Sequence, residues 1–442
     1  MNPFVSGAIW LSVYLGIVLA PVLVLLLAPT PASGGFWWDV SMGLGYAGIT
    51  MMAVQFVLTA RFKRATAPFG IDVIYAFHRY LAYALLVLIL LHPTILVIRD
   101  PAQLSAILTP WTVPFEVSAG TASLLLLLFI VGVSAFRKPL RIPYEPWRAT
   151  HLLLSIGAVG FAFVHMFGIG YYTEAAAVQA IWVLIGFSLV AIVFYVRLLR
   201  PWRLLHRPFR VAEVQPELAE SWMLAVEPLG HEGFDFEPGQ FAWLTVRKSP
   251  FTMHEHPFSI ASSPDPHGRI EFVIKELGDF TRTVGQIPPG TVAYVDGPYG
   301  SFSIDRHPEA AGYVFLAGGI GIAPMMSMMR ALAERGDARS HFAFAAHSTW
   351  DRIPLRDQVL ALRKELDLEV VHVLEEPPEE EEWGGEEGWI TKELLDRYLP
   401  PERADYHYFI CGPVPMIRAM EAFLKELGIE PGNVHTELFD MV

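Results

Sequence analysis

Four histidines carry the most telling spacing in this chain: His78 and His92 lie 14 residues apart, and so do His151 and His165. Fourteen residues at about 100° each return to within about 40° of the same helix face and rise about 21 Å. An apolar helix bearing such a pair offers one imidazole near each end of a bilayer-length span. If the two helices run in the same direction, His78 comes level with His151 and His92 with His165. Facing imidazoles hold a six-coordinate b-type heme without a covalent link, and the chain has no CxxCH attachment motif. Two b hemes are therefore expected, with His78, His151, His92 and His165 as iron ligands. Core histidines bonded across helices would explain any one of the four but not the repeated spacing. Zinc matches less well, because two imidazoles per level leave its third and fourth positions unfilled.

The elements that must position them are apolar segments at roughly 8–28, 40–60, 75–98, 118–136, 151–170 and 177–199, each near the ~20 residues that cross a bilayer. The first lacks a basic leader and is read as a retained helix. Basic residues cluster in alternate loops: Arg61, Lys63 and Arg64; Arg137, Lys138, Arg141 and Arg148; Arg197, Arg200, Arg203, Arg207 and Arg210. The opposite loops hold Asp39, Arg99, Asp100, Glu116 and Glu174. The positive-inside rule then puts both termini, and whatever follows residue 202, in the cytoplasm of a plasma-membrane protein. It also makes the third and fifth segments run the same way, as the histidine levels require.

Composition divides the chain at the same place. Residues 1–202 hold 11 Lys/Arg and 6 Asp/Glu, leaving 21 and 39 for residues 203–442, so the halves carry +5 and −18 of the total −13. No basic face for phosphate backbones is visible in the acidic half, so nucleic acid is not an expected partner. The single cysteine, Cys411, excludes an intramolecular disulfide and a thiolate iron-sulfur cluster. The acidic run between Glu375 and Glu387 reads as a solvated loop.

Beyond Arg200, short β-type runs such as FAWLTV and RIEFVIKEL continue to about Pro298 and suggest a small β-barrel. From Gly312, the runs YVFLAG, HFAFAAH, LEVVHVL and YHYFICG alternate with helical stretches, the pattern of a parallel sheet. The first of these runs leads into AGGIGIAP, residues 317–324, whose Gly318, Gly319, Ile320, Gly321 and Pro324 lie between a strand and a helix. Glycines there let backbone approach a pyrophosphate at a helix N-terminus. Taken alone, the HPFS run at residues 256–259 reads as an ordinary strand end.

His256, Pro257, Phe258 and Ser259 resemble the HPF[ST] flavin motif of the NADPH oxidase and ferric reductase superfamily, whose reductase half is similar to ferredoxin-NADP reductase. With the histidine helices included, the resemblance covers nearly the whole chain. It implies a ferric-reductase-like six-helix transmembrane bundle over residues 1–202, an antiparallel β-barrel FAD domain over 203–305, and an α/β parallel-sheet NAD(P)H domain over 306–442. It further implies that Lys275 faces the FAD pyrophosphate and that Thr281 caps the following helix and binds phosphate. Phe280 stands where the family usually has Trp. Cys411, Gly412 and Pro413 resemble the CGP motif beside the nicotinamide, and Phe439 the near-terminal aromatic that covers the flavin until nicotinamide displaces it. Cys411 and Phe439 are thus the expected catalytic contacts, although a buried small hydrophobe and a plain core Phe explain the same residue types.

The implied cofactors are two heme b, FAD, and NADPH or NADH. Groups for a 2′-phosphate would follow the second strand of the nucleotide domain, where His347, Ser348 and Arg352 stand. The implied function is a transmembrane NAD(P)H oxidase that sends electrons outward to O2, giving superoxide. Alternatives are a ferric-chelate reductase and a membrane electron donor to a periplasmic redox repair protein. Residues 40–55 hold no Arg, although the related oxidases carry one there. With no EF-hand loop and no SH3-type proline ligand, no obligatory protein partner is expected.

Overall fold

The computed structural model describes residues 3–28, 33–62, 70–265, 267–379 and 383–438. It divides into two compact units, one of Met1–Thr66 and Val73–Leu199, the other chiefly Arg200–Met441.

In the first unit six helices are long and apolar enough to cross a membrane. They are α1 (Pro3–Leu27), α2 (Phe36–Thr59), α3 (Ile71–Arg99), α4 (Phe115–Ala135), α5 (Tyr144–Ile169) and α6 (Ala176–Phe194). At 1.5 Å per residue they reach roughly 28 to 44 Å, enough for the hydrocarbon core. Leu27, Leu125, Val183, Phe187 and Val190 are each more than half exposed on this unit, as a lipid-facing surface demands. α2 is the central helix, with 56% of its span buried against 6–28% for the others. Its Gly48 permits this: a Cβ there would fall 2.3 Å from Ile89 Cδ1 on α3. Fully buried Trp182 packs against Tyr46 and Phe163, with ring centroids at 5.3 and 5.9 Å. Polar groups join helices: Ser123 Oγ donates to the Ala158 carbonyl at 2.8 Å, and Gln55 Nε2 to the His78 carbonyl at 3.2 Å.

Boundaries differ from the apolar segments in an instructive way. α5 begins at Tyr144, seven residues before the apolar run, because its first turns carry Glu145 and Arg148 and still close helical bonds. α6 likewise continues through a π turn, Tyr195–Leu199, into the helix Arg200–Leu205. Hydropathy marks where lipid starts, not where a helix does.

The second unit holds two sheets. The first comprises β1 (Phe209–Glu217), β2 (Ser221–Pro228), β3 (Phe241–Val246), β4 (His256–Ser259), β5 (Ile270–Lys275) and β6 (Val292–Tyr299), in the order β4-β3-β6-β1-β2-β5. Its pairings are antiparallel, and Ile260, just after β4, bridges Phe272 on β5, drawing the two edges together into a half-barrel. Val211, Leu224, Leu244, Ile260 and Phe272 fill its interior.

The second sheet comprises β7 (Tyr313–Gly318), β8 (His341–His347), β9 (Leu368–Leu374), β10 (Glu386–Glu387), β11 (His407–Cys411) and β12 (Val434–Glu437). It is parallel, ordered β10-β9-β8-β7-β11-β12. β7 is buried throughout, as its unbroken apolar run requires. Strand order reverses between β7 and β11, the switch point where doubly wound sheets open a ligand crevice. Glu386 and Glu387 depart from the solvated loop expected of the acidic run. They form β10, held by Arg397 Nη1 at 2.8 Å and Tyr398 Oη at 2.7 Å to Glu386. Residues 380–382 of that run lie outside the described residues.

Helix α7 (Ile322–Glu334) ties the two sheets together. Ser327 Oγ donates to the Ser262 carbonyl at 2.6 Å and accepts from Gly239 N–H at 3.3 Å. Arg330 Nη1 reaches the Ala261 carbonyl and Glu271, both at 2.9 Å. The glycine turn that starts α7 is thereby referenced to the half-barrel.

Candidate functional site

α3 carries His78 and His92, and α5 carries His151 and His165. The ring centroids of His78 and His151 stand 6.4 Å apart, those of His92 and His165 6.3 Å. Two metal–imidazole bonds of about 2 Å, with each centroid roughly 1.1 Å behind its nitrogen, give about 6.3 Å. Both centroid distances match the span of an iron held between two imidazoles.

The outer face of each ring is also arranged. His92 Nδ1 lies 2.8 Å from the Ser41 carbonyl, and His165 Nδ1 2.9 Å from the Glu116 carbonyl. A carbonyl only accepts, so both Nδ1 atoms carry the proton and both Nε2 atoms keep a lone pair for a metal. His151 Nδ1 is 3.2 Å from Ser134 Oγ, which accepts from Trp147 Nε1 at 3.3 Å. His78 Nδ1 is buried without a hydrogen-bond partner among the described residues. Glycine makes the two carbonyl contacts possible. A Cβ at Gly120 would lie 2.7 Å from His165 Nδ1, and one at Gly45 3.2 Å from His92 Nδ1. Ser41 and Gly45 on α2, and Glu116 and Gly120 on α4, repeat the same i, i+4 device: a carbonyl behind the ring and a bare backbone one turn on. Those four positions escaped the sequence reading, because a backbone acceptor has no side-chain signature.

In the half-barrel, β4 presents the HPFS residues on an edge strand paired to β3, with Phe258 opposite Ala242 and Ser259 opposite Phe241. Phe280 stacks on His256 at 4.3 Å and 6°, and lies 6.2 Å from Phe258. The aromatic that replaces Trp thus still covers this strand. Ser259 Oγ is buried with no hydrogen-bond partner among the described residues, a donor a flavin edge would satisfy. Ser259→Ala is expected to weaken FAD binding about tenfold, one hydrogen bond of roughly 1.4 kcal/mol, as read by flavin fluorescence titration.

Thr281 differs from its expected role as a helix cap. It is the first residue of the short 3-10 helix Thr281–Gln286, whose N-cap position is Phe280, and its Oγ1 accepts instead from Leu277 and Gly278 N–H, both at 2.8 Å. The hydroxyl closes the preceding loop, because the helix starts one residue earlier than a threonine cap requires. Lys275 ends β5 opposite Ser221. Burial, then His372, hold His347 down at about 4, and the charge of Lys275 adds to this. A neutral His347 brings no charge to a phosphate, while Arg352 is exposed and pairs with Glu220 at 3.3 Å.

The nucleotide motifs meet at the switch point: Gly318 ends β7 and Cys411 ends β11, adjacent in the sheet. Ile320 sits in the Gly319–Gly321 turn, and Pro324 is buried in the first turn of α7. A Cβ at Gly321 would fall 2.1 Å from the Cys411 carbonyl oxygen, and one at Gly318 2.9 Å from Pro413. Gly319 has φ 58° with open space around it, and α7 starts without a side-chain cap. Bare glycine backbone before an uncapped helix N-terminus is a fit for a dinucleotide pyrophosphate. Cys411 is fully buried, and burial, then Glu437 opposite it on β12, raises its thiol well above the ordinary value, so it is no thiolate nucleophile. Gly412 follows with its own Cβ position 3.1 Å from Gly318. Phe439 lies outside the described residues.

Residues 44–162 match the family described as ferric reductase like transmembrane component, residues 209–303 the FAD-binding domain and residues 315–422 the oxidoreductase NAD-binding domain. The chain is 32% identical over 238 residues to propane 2-monooxygenase, reductase component, of Mycolicibacterium goodii, covering 52% of this chain and 66% of that protein. It is 31% identical over 194 residues to NADH-cytochrome b5 reductase 1 of Mycosarcoma maydis, covering 42% and 58%. The chain thus spans less than two thirds of the length of these relatives. A crystal structure of flavohemoglobin from Malassezia yamatoensis with bound FAD and heme matches at TM-score 0.50 and 17% identity, covering 91% of this chain and 98% of that one, a likeness of fold alone. The chain has the NADPH oxidase and ferric reductase architecture, a ferric-reductase-like transmembrane domain followed by FAD- and NAD-binding domains, and is a membrane-bound oxidoreductase.

Proposed function

We propose that this protein carries electrons from cytoplasmic NAD(P)H across the membrane to dioxygen on the outer side: NAD(P)H and two O2 give NAD(P)+, a proton and two superoxide. The observation that supports it best is the pair of His–His spacings, 6.4 and 6.3 Å, at two levels of one helix pair, in a chain that also carries the flavin and nicotinamide domains. When bound, FAD accepts a hydride and releases single electrons, and two b hemes, one per histidine pair, carry them through the bilayer.

The chain's own residues do the rest. Gly318, Gly319 and Gly321 admit the dinucleotide phosphates, and the Cys411–Pro413 turn borders the nicotinamide. Phe258 and Ser259 hold the isoalloxazine ring. The carbonyls of Ser41 and Glu116 keep the outer imidazoles in the ligating tautomer. If each histidine pair holds a heme, its two imidazoles would be the iron ligands that the chain supplies, and reduction of the acceptor would not require O2 to bind the iron. The alternation of basic loops supports a cytoplasmic reductase half.

A ferric chelate is the second reading. It is favoured by the lack of an Arg among residues 40–55 and by the ferric-reductase-like match. Steady-state NAD(P)H oxidation by the purified chain separates them: the oxidase reading expects cytochrome c reduction that superoxide dismutase abolishes. Dismutase-insensitive turnover that appears only with a ferric chelate contradicts it.

A further inference from the structure

We propose that His307, His407 and His435 form a binding site for one divalent transition-metal ion of the zinc or nickel class. His307 follows the short 3-10 turn Ile304–Arg306, His407 opens β11 and His435 lies in β12. One ligand nitrogen from each comes within 4.8 Å of the other two. His407 Nδ1 and His435 Nε2 are already 2.8 Å apart, and His307 stacks on His435 with centroids at 4.0 Å. Three imidazoles at about 2.0–2.1 Å from a zinc ion have nitrogens about 3.4 Å apart, so to complete the site His407 and His435 would separate by roughly 0.6 Å and the His307 ring, now inclined 24° and 30° to the other two, would turn to aim a nitrogen at the ion.

The donor set names the ion. Three nitrogens with neither thiolate nor carboxylate suit zinc, nickel or copper and not calcium or magnesium. Without the ion, one of His407 Nδ1 and His435 Nε2 donates its N–H to the other; with the ion bound, that proton would sit on the donor ring's other nitrogen and water would fill the fourth position.

The consequence concerns the nicotinamide crevice. Among the described residues β12 is the edge strand, paired with β11, where Glu437 lies opposite Cys411, two residues beyond His435. An ion holding His435 to His407 and to the 304–307 turn clamps that strand at its start and fixes Glu437 beside the CGP turn.

The test uses full-length protein, replete in heme and FAD and free of any polyhistidine tag, dialysed against micromolar Zn2+. Elemental analysis counts zinc separately from heme iron. One zinc per chain is expected, with affinity lowered at least about tenfold, the loss an outer-shell partner alone produces, in each of His407→Asn, His435→Asn and His307→Gln. Zinc is also expected to slow amide hydrogen exchange of Val434–Glu437 in the unsubstituted protein, a readout that needs no variant to fold. Zinc bound equally by the unsubstituted protein and the variants, or no zinc bound and exchange unchanged, overturns the site.

Discussion

Replacing His165 with leucine is expected to lower the heme content from two per chain to one and to cut NAD(P)H-driven reduction of any outer acceptor at least about a hundredfold. The ring has a single counterpart, His92 at 6.3 Å, and leucine supplies no lone pair. The two levels lie about 21 Å apart along the helices, so the remaining pair cannot stand in. Two companion substitutions make the expectation specific. Glu116→Ala is expected to leave heme content unchanged, because His165 is bonded by that residue's backbone carbonyl and not its carboxylate. Gly120→Val is expected to behave nearly as badly as His165→Leu, because its Cβ falls 2.7 Å from His165 Nδ1 and breaks the bond that sets the tautomer. Pyridine hemochrome absorbance per chain measures all three.

Gly321→Ala is expected to slow reduction by sub-saturating NAD(P)H severely while leaving the dithionite-reduced heme spectrum intact. The added methyl meets backbone on every near side: the Cys411 carbonyl oxygen at 2.1 Å, its carbon at 2.6 Å and Gly412 N at 3.1 Å. Backbone at the junction of two central strands yields less than a side chain does, and overpacking of this kind costs roughly 1 to 3 kcal/mol. If the turn gave up that much free energy in binding nicotinamide, affinity would fall about 5- to 140-fold. Gly319→Ala is of different character: no described atom lies within 4 Å of a Cβ there, so in the empty protein only its φ of 58° opposes a side chain, at about 1 kcal/mol, and its loss of activity would come from a methyl in the space proposed for the dinucleotide phosphates. Thermal unfolding without nucleotide, beside stopped-flow flavin bleaching, separates crowding of the turn at 321 from obstruction of the nucleotide at 319.

How far the sequence carried the reading depends on what kind of group does the work. The histidine levels were legible because one 14-residue spacing occurs twice on helices that run the same way, and helical geometry converts spacing into depth. The half-barrel and parallel sheet were legible from the change of period after Arg200 and from glycines at strand ends. What stayed hidden is chemistry done by backbone. The carbonyls of Ser41 and Glu116 announce nothing in their side chains, and the matched Ser41/Gly45 and Glu116/Gly120 spacings acquire meaning only once the helices are packed. Thr281 was misjudged because capping depends on where a helix starts, which a 3-10 turn shifts by one residue. The three-histidine cluster was out of reach for another reason. His307, His407 and His435 are brought together only by the parallel pairing of β11 with β12 and by the turn leading into β7. The crowding behind Gly321 is likewise a property of two strands adjacent in space and some 90 residues apart in sequence.

The central claim is that one chain holds a complete path from nicotinamide to the far histidine pair. Anaerobic mixing of the purified, heme-replete protein with NADPH or with NADH, followed by absorbance, tests it most directly. The account predicts flavin bleaching followed by full reduction of two low-spin b-type hemes per chain. Flavin bleaching with unchanged heme bands, or a protein that shows no bis-imidazole b-type spectrum at all, would contradict it.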